Sequence, residues 1–235
     1  MAGLILNPSA KVRVVHQGRE RQPVIVIDDM LAEPDRWRSL AAQSEYRRIG
    51  AHYPGLRAVF PEPASQAIRA ELEPLLAGTF ELDPVPPVFE CYFSIITTSP
   101  EALAPIQRLP HVDGLERDRI AILIYLFGGE MGGTAFYRQR STGFETLDAD
   151  RFASFKAALE EGVAEHGLPP AGYIAGDTPL YERIASYEAV PNRALIYRSR
   201  SLHSGEIAAA ASLTADPVHG RLTINSFLFD PRRGT

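Results

Sequence analysis

The sequence is short of cysteine, of charge of one sign and of long apolar runs, and each shortage removes a class of protein. Its single cysteine, Cys91, rules out an internal disulfide and a cysteine-based zinc motif. Cys91 lies in the apolar stretch 89–96, where a lone thiol reads as a small core residue rather than a nucleophile. No apolar run approaches the ~20 residues of a membrane span. The opening segment Met1–Asn7 has too short an apolar run, and no basic leader, for a signal peptide. A reducing cytoplasm is therefore the expected location. Acidic and basic residues number 29 and 24, a formal net charge of -5, with no basic stripe. Binding a phosphate backbone needs such a stripe, so nucleic acid is not an expected partner, and neither is a membrane. The chain carries no internal repeat and no low-complexity segment.

What is present is a chain of 235 residues, 45% hydrophobic, enough for one globular domain over 1–235 with a sizeable core. Whether it pairs as a homodimer is left open. Val24–Ile27 reads as a buried strand stopped by Asp28 and Asp29. Helices are expected over Pro34–Tyr46 and over Glu62–Leu76, the second with Ile68, Leu72, Leu75 and Leu76 as its apolar stripe. Tyr53-Pro54-Gly55 reads as a turn. From residue 88 the texture changes to strands: Val88–Thr97, Ile120–Phe127, Thr134–Tyr137, Ala194–Arg198 and Leu222–Phe229. Gly128-Gly129 and Gly132-Gly133 bracket a turn between two of them. An insertion over 141–189 reads as two helices, Asp150–His166 and Thr178–Ser186. The expected fold is thus mainly β with flanking helices (α+β). An N-terminal α/β support over about 1–87 would pack on one sheet of a sandwich or barrel whose core strands lie in 88–140 and 190–230.

The chemistry is concentrated in four places. In His111-Val112-Asp113, alternate residues of an extended chain project to one side, so an imidazole and a carboxylate can bite one ion. Gly114 makes a plain surface turn the competing reading. His203 follows the strand Ala194–Arg198, and a second histidine there completes a two-histidine-one-carboxylate set. Such a set covers one face of an octahedral ferrous ion and leaves three positions open. Arg221 opens an apolar strand and shares its face with Thr223 and Asn225. A charge on a buried strand costs several kcal/mol unless something pairs with it. A bound dicarboxylate is one partner, because a guanidinium grips carboxylate as a fork; an internal acid is the alternative. Tyr125 could donate its hydroxyl to the same carboxylate or be an ordinary core tyrosine.

Taken in order, Pro110-His-Val-Asp-Gly114, Ile124-Tyr-Leu126, Gly132-Gly-Thr134, Leu202-His-Ser-Gly205 and Arg221-Leu-Thr223 resemble the double-stranded β-helix oxygenases that use Fe(II) and 2-oxoglutarate. The order looks most like the prolyl-hydroxylase-type branch of that superfamily. Tyr53–Arg57 and Arg221–Asn225 also resemble a bacterial family of oxygenase-like proteins with Tyr-Pro-Gly-x-Arg and Arg-Leu-Thr-x-Asn motifs. The resemblance implies a jelly-roll fold, a dioxygenase activity and three roles. His111, Asp113 and His203 would ligate Fe(II). Arg221, Thr223 and Tyr125 would hold the cosubstrate 2-oxoglutarate. O2 would complete the reaction, giving succinate and CO2. A carboxylate at 113 implies hydroxylation or desaturation, since halogenating members lack one there.

Arg221 stands farther past His203 than is usual in that branch, with the Ala-rich loop 207–217 between them. Should that loop displace the strand, Arg193, Arg198 and Arg200 are the fallback cations. For substrate, His52, Tyr53 and Arg57 sit on a Pro-Gly turn of the kind that carries binding residues. The insertion, with Tyr173, Tyr181 and Tyr187, is expected to be a lid or a structural cap. A small molecule, amino acid or peptide is the expected substrate. Two other functions use the same ligands: a zinc hydrolase, which would need a nearby general base, and a non-catalytic jelly-roll binding module.

Overall fold

Every residue of strand β5 (Ile120–Tyr125) is buried, and its two faces go to different neighbours. Ile120, Ile122 and Ile124 join one apolar cluster; Ala121, Leu123 and Tyr125 join another. A strand apolar on both sides must lie inside a layered structure. The computed structural model describes residues 5–128, 131–209 and 211–232, and shows those layers. Gly129 and part of the 207–217 loop, Ala210, lie outside the described residues, as does the start of the opening segment.

The described residues form ten strands in two antiparallel sheets. The seven-stranded sheet runs β1 (Lys11–Gln17), β2 (Gln22–Asp28), β8 (Ala194–Arg198), β5, β10 (Leu222–Leu228), β4 (Val88–Ile96), β3 (Gly55–Val59). The three-stranded sheet runs β7 (Tyr181–Glu188), β6 (Gly132–Gln139), β9 (His203–Ile207). An isolated bridge between His111 and His203 extends the small sheet beyond β9. After β4 the chain visits the two sheets in alternation, with β6 and β7 adjacent in the small one. That is the winding of a double-stranded β-helix, or jelly roll.

Side-chain parity builds the layers. Helices α1 (Pro34–Ala42) and α2 (Glu62–Phe80) bury Trp37, Ala41, Ile68, Leu72, Leu76 and Phe80 against Ile120, Ile122, Ile124, Ile196 and Ile224 of the large sheet. The opposite face of that sheet looks at the small sheet, where Phe136 meets Leu123, Leu195 and Tyr197. Helix α3 (Ala149–His166) starts on Asp148, whose side chain accepts the Arg151 backbone N–H at 2.9 Å. It packs Phe155 outside the small sheet, in the cluster of Tyr137 and Tyr181. Among the described residues, no helix is long and apolar enough to cross a membrane.

The mainly-β class, the N-terminal helices on one sheet and the α3 helix agree with expectation, with α2 running on to Phe80 rather than ending at Leu76; four further details do not. Thr178–Ser186 is not a helix: Tyr181–Glu188 is β7, paired along β6. It is an edge strand with one half-wetted face, so its composition is polar and its periodicity weak, and pairing overrides local preference. Strand β1 differs from expectation: its Lys11-Val12-Arg13-Val14 alternation is only four residues long, and residues 11–16 stay exposed, held by pairing along β2. The short strands β3 and β9 were also unforeseen; β9 includes Ser204, Gly205 and Glu206, poor strand formers that only a partner strand holds extended. Helix α1 stops at Ala42 rather than Tyr46, where the Gln43 backbone N–H turns back to Leu40 and Ala41.

Candidate metal centre and its cavity

The small sheet brings the two ligand segments together. His111 and His203 exchange backbone hydrogen bonds of 2.9 Å in both directions, and the Asp113 N–H donates to Ser199 O at 2.9 Å. His111-Val112-Asp113 is thereby laid extended beside β9, and its alternate side chains fall on the side where His203 projects. One donor atom from each of His111, Asp113 and His203 lies within 4.8 Å of the others. His203 Nε2 is 3.3 Å from Asp113 Oδ2, and His111 Nε2 is 3.7 Å from Asp113 Oδ1. Donors about 2.1 Å from an ion and at right angles to each other stand about 3 Å apart. A small closure of the three side chains meets that geometry, so the donor set fits a divalent transition metal.

The electrostatics suit a cation. His203 Nδ1 is 2.8 Å from Ser201 O, an acceptor, so Nδ1 carries a proton and Nε2 is left to coordinate. The His111 imidazole is half open to the cavity; the residues enclosing it, and then His203, lower its pKa below the ordinary value. It is therefore neutral, as a ligand must be. Burial works to raise Asp113, but the charge and hydrogen bond of His203 outweigh it, and the carboxyl is held down at about 2. Burial likewise works against a charged His203, and Asp113 reverses the sign, leaving His203 above its ordinary value.

These three residues wall a cavity of about 620 Å³ between the sheets, within the range for small-molecule sites. Arg221, at the foot of β10, lines the same cavity and is only 4% exposed. Its Nη2 donates to Gly133 O at 2.9 Å, while its buried Nε has no partner. Among the described residues it makes no ion pair. Its guanidinium lies 5.0 Å from the Phe127 ring centre and 5.7 Å from that of Tyr125. Burial pushes its pKa down, opposed by Tyr125, Tyr53 and Tyr173. Thr223 lines the cavity too, with Oγ1 2.7 Å from Asn225 Oδ1. Tyr125 does not reach the surface of the cavity: it is fully buried, and its hydroxyl is 2.7 Å from Thr134 Oγ1, which does.

His52, Tyr53 and Arg57 all line the cavity, as does Tyr173, whose hydroxyl donates to Thr98 O at 2.7 Å. Tyr181 and Tyr187 do not. Tyr181 is buried beside Tyr137 in the layer under α3, and the Tyr187 hydroxyl donates to Gln17 Oε1 at 3.1 Å. Among the fallback cations, Arg193 is paired with Asp28 at 2.5 Å and Arg198 donates to Phe80 O at 2.7 Å. Neither these nor Arg200 lines the cavity. Sequence reasoning missed Tyr197, whose ring is 4.9 Å from that of His203, and the α3 wall of Phe152, Phe155 and Leu159. That wall was visible as an apolar stripe at helical spacing; only its destination was not.

A jelly roll with two histidines and a carboxylate at one end of an inter-sheet cavity is the class that the fold and donor set define. Residues 8–228 match the model described as a family of unknown function (DUF6445), and the chain belongs to that family. No curated protein sequence matches it. Among solved structures it is similar to the non-heme alpha-ketoglutarate-dependent carbocyclase SnoK from nogalamycin biosynthesis. The identity is 12% and the TM-score 0.44, covering 90% of this chain and 81% of that one. HygX from Streptomyces hygroscopicus, with nickel, 2-oxoglutarate and hygromycin B bound, aligns at 14% identity and TM-score 0.44, over 89% and 84%. An N-substituted L-amino acid dioxygenase from Burkholderia ambifaria AMMD, in complex with alpha-KG, aligns at 15% and 0.39, over 92% and 85%. Likenesses this distant establish no shared activity.

Proposed function

We propose that this chain is an iron(II)- and 2-oxoglutarate-dependent dioxygenase that oxidises a C–H bond of a small molecule, amino acid or peptide side chain. The observation that carries the proposal is one cavity walled by three convergent donors and by a buried guanidinium that has no acid among the described residues. His111, Asp113 and His203 would hold the iron. Arg221, with Thr223 beside it, would hold the distal carboxylate of 2-oxoglutarate. Bound together, metal and cosubstrate supply an oxidant generated from O2, with succinate and CO2 as co-products.

The chain's own contribution is positional. Ser201 O orients His203, and the neutral His111 and ionised Asp113 are ready to bind a cation without first losing a proton. Gly133 O fixes one end of the Arg221 guanidinium and leaves Nε free to grip an anion. Tyr125 acts from behind, holding Thr134 and facing the guanidinium with its ring. Ala121, Leu123, Tyr197 and Phe227 give the centre apolar walls. The carboxylate of Asp113 favours hydroxylation or desaturation. The proposal is made for the superfamily, because nothing in the site singles out its prolyl-hydroxylase-type branch. A zinc hydrolase on the same ligands would need a general base, and Asp113 is the only acidic residue among those described along the cavity wall.

The test is anaerobic titration with Fe(II) and 2-oxoglutarate, singly and together. A weak visible charge-transfer band should appear only with both. Its absence when both are added would sink the oxygenase reading.

A further inference from the structure

The cavity holds a second guanidinium that the proposed chemistry leaves without a task. Register places Arg57 of β3 opposite Ser94 of β4, Ser94 opposite Thr223 of β10, and Thr223 opposite Tyr125 of β5. Arg57 therefore shares the cavity face with Thr223 but stands two strands away, about 10 Å at the usual strand spacing. The cosubstrate carboxylate assigned to Arg221 and Thr223 on β10 therefore leaves the Arg57 guanidinium on β3 available to another anion.

Arg57 is held in place with its donors free. Its backbone exchanges 2.9 Å hydrogen bonds with Arg47 in both directions. Its guanidinium stacks 4.0 Å from the centre of the Tyr53 ring and lies 5.2 Å from that of Tyr92. A Cβ built at Gly50, where φ is +86°, would come within 3.0 Å of Arg57 Nη1, so the 47–54 loop packs close against the guanidinium. Its buried Nε has no hydrogen-bond partner, and no acidic side chain pairs with it among the described residues. Stacking fixes the plane of a guanidinium and presents its edge, the geometry that grips a carboxylate.

A second observation comes from another part of the cavity wall. Phe152, Phe155 and Leu159 line the cavity from one face of α3, joined by Ile106 and Val112. Phe152 is 44% exposed and Ile106 48%, large apolar side chains left open where the cavity meets solvent. A ligand that covers them must itself be apolar.

We infer that Arg57 and the α3 face form the substrate subsite, and that the substrate is an amphipathic carboxylate: the acid on Arg57, the hydrocarbon or aromatic body on Phe152, Phe155 and Leu159. This deepens the oxygenase reading and rests on it for the reaction, while the binding stands on the cavity itself.

The test uses the full chain loaded with Ni(II) and 2-oxoglutarate, so that no turnover follows, and, in parallel, the metal-free protein. Octanoate, 4-phenylbutyrate and N-acetyl-L-phenylalanine are titrated calorimetrically, each against its neutral amide. At least one acid should bind about tenfold or more tightly than its amide. Arg57→Gln should erase that difference, and Arg57→Lys, which keeps the charge, should retain part of it. Phe152→Ser should weaken acid and amide alike. Affinity for 2-oxoglutarate should be unchanged in Arg57→Gln and lost in Arg221→Gln. The inference is overturned if no acid outbinds its amide, or if the preference survives Arg57→Gln. It is also overturned if Arg57→Gln costs as much 2-oxoglutarate affinity as Arg221→Gln, which would assign Arg57 to the cosubstrate. Failure of the oxygenase reading has a different signature: the nickel protein would not bind 2-oxoglutarate at all, while Arg57-dependent discrimination in the metal-free protein would remain.

Discussion

Arg138 and Arg221 are buried to nearly the same degree, 6% and 4% exposed, and their surroundings are opposite. Arg138, on β6, donates through Nε to Glu145 at 2.8 Å and through Nη1 to Glu182 at 2.7 Å. Burial works against its charge, but the two carboxylates outweigh it and raise its pKa. Glu145 also accepts the backbone N–H groups of Arg19 and Glu20, at 2.9 and 3.0 Å, tying the β1–β2 turn to β6. Arg221 has one backbone carbonyl and two aromatic rings, and burial pushes its pKa down. Taking a guanidinium out of water costs several kcal/mol wherever it happens. A cation with its own acids is part of the frame. One without them is half of an interaction whose other half arrives from outside.

The comparison can be broken from either side. The largest effect should come from the frame: Glu145→Ala strands Arg138 and frees the β1–β2 turn, costing about 3–5 kcal/mol. Chemical denaturation measures this, and a loss below about 1 kcal/mol would deny Glu145 its role. At the centre, His203→Ala removes one of three donors, and metal affinity should fall more than about a hundredfold. Iron occupancy unchanged after chelator challenge would show that His203 is not a ligand.

Arg221→Gln should cost about 2–3 kcal/mol of 2-oxoglutarate affinity, tens- to a hundredfold, with the metal retained. Equal affinity in variant and parent would remove Arg221 from the site. A smaller effect follows from the histidine pair. Asp113 holds His203 above its ordinary value, so a proton occupies the site at low pH and a metal must displace it. That proton contributes stability to the metal-free protein below the ordinary histidine pKa, a contribution lost as pH rises through the elevated one. Zinc affinity should therefore be several-fold higher at pH 8 than at pH 6; the reverse order would contradict the pairing. The smallest effect sharpens the contrast most: Arg221→Met removes a buried charge that lacks an acid, so thermal stability should stay within about 1 kcal/mol or rise. A loss like that of Glu145→Ala would make Arg221 a frame residue after all.

How much of this was legible depended on how many faces an element buries. Strands β5, β8 and β10 are apolar on both sides or bear a polar face among apolar neighbours, and their bounds were read to within two residues. β1 alternates briefly at Lys11-Val12-Arg13-Val14 but buries almost nothing, and β7 lies at a sheet edge with a weak period, so neither stood out as a strand. The site divides in the same way. His111 and Asp113 are two apart, and extended-chain geometry alone puts them on one side. Arg221 was suspect because a charge opened an apolar strand. For Tyr125 the sequence left two readings open, and the packed structure sets its hydroxyl against Thr134, a residue of the cavity wall.

The sequence by itself determined the alternation of apolar and polar positions that makes a two-sheet fold, and the residue types able to bind a cation and a carboxylate. Local periodicity and side-chain chemistry suffice for that. Only the tertiary structure decided that His203 meets His111 across a strand bridge, that Arg193 finds an acid while Arg221 and Arg57 find none among the described residues, and that α3 turns its stripe onto the same cavity. These are pairings between segments far apart in the chain, set by how the sheets close and by which buried charges find partners, and no local pattern encodes them.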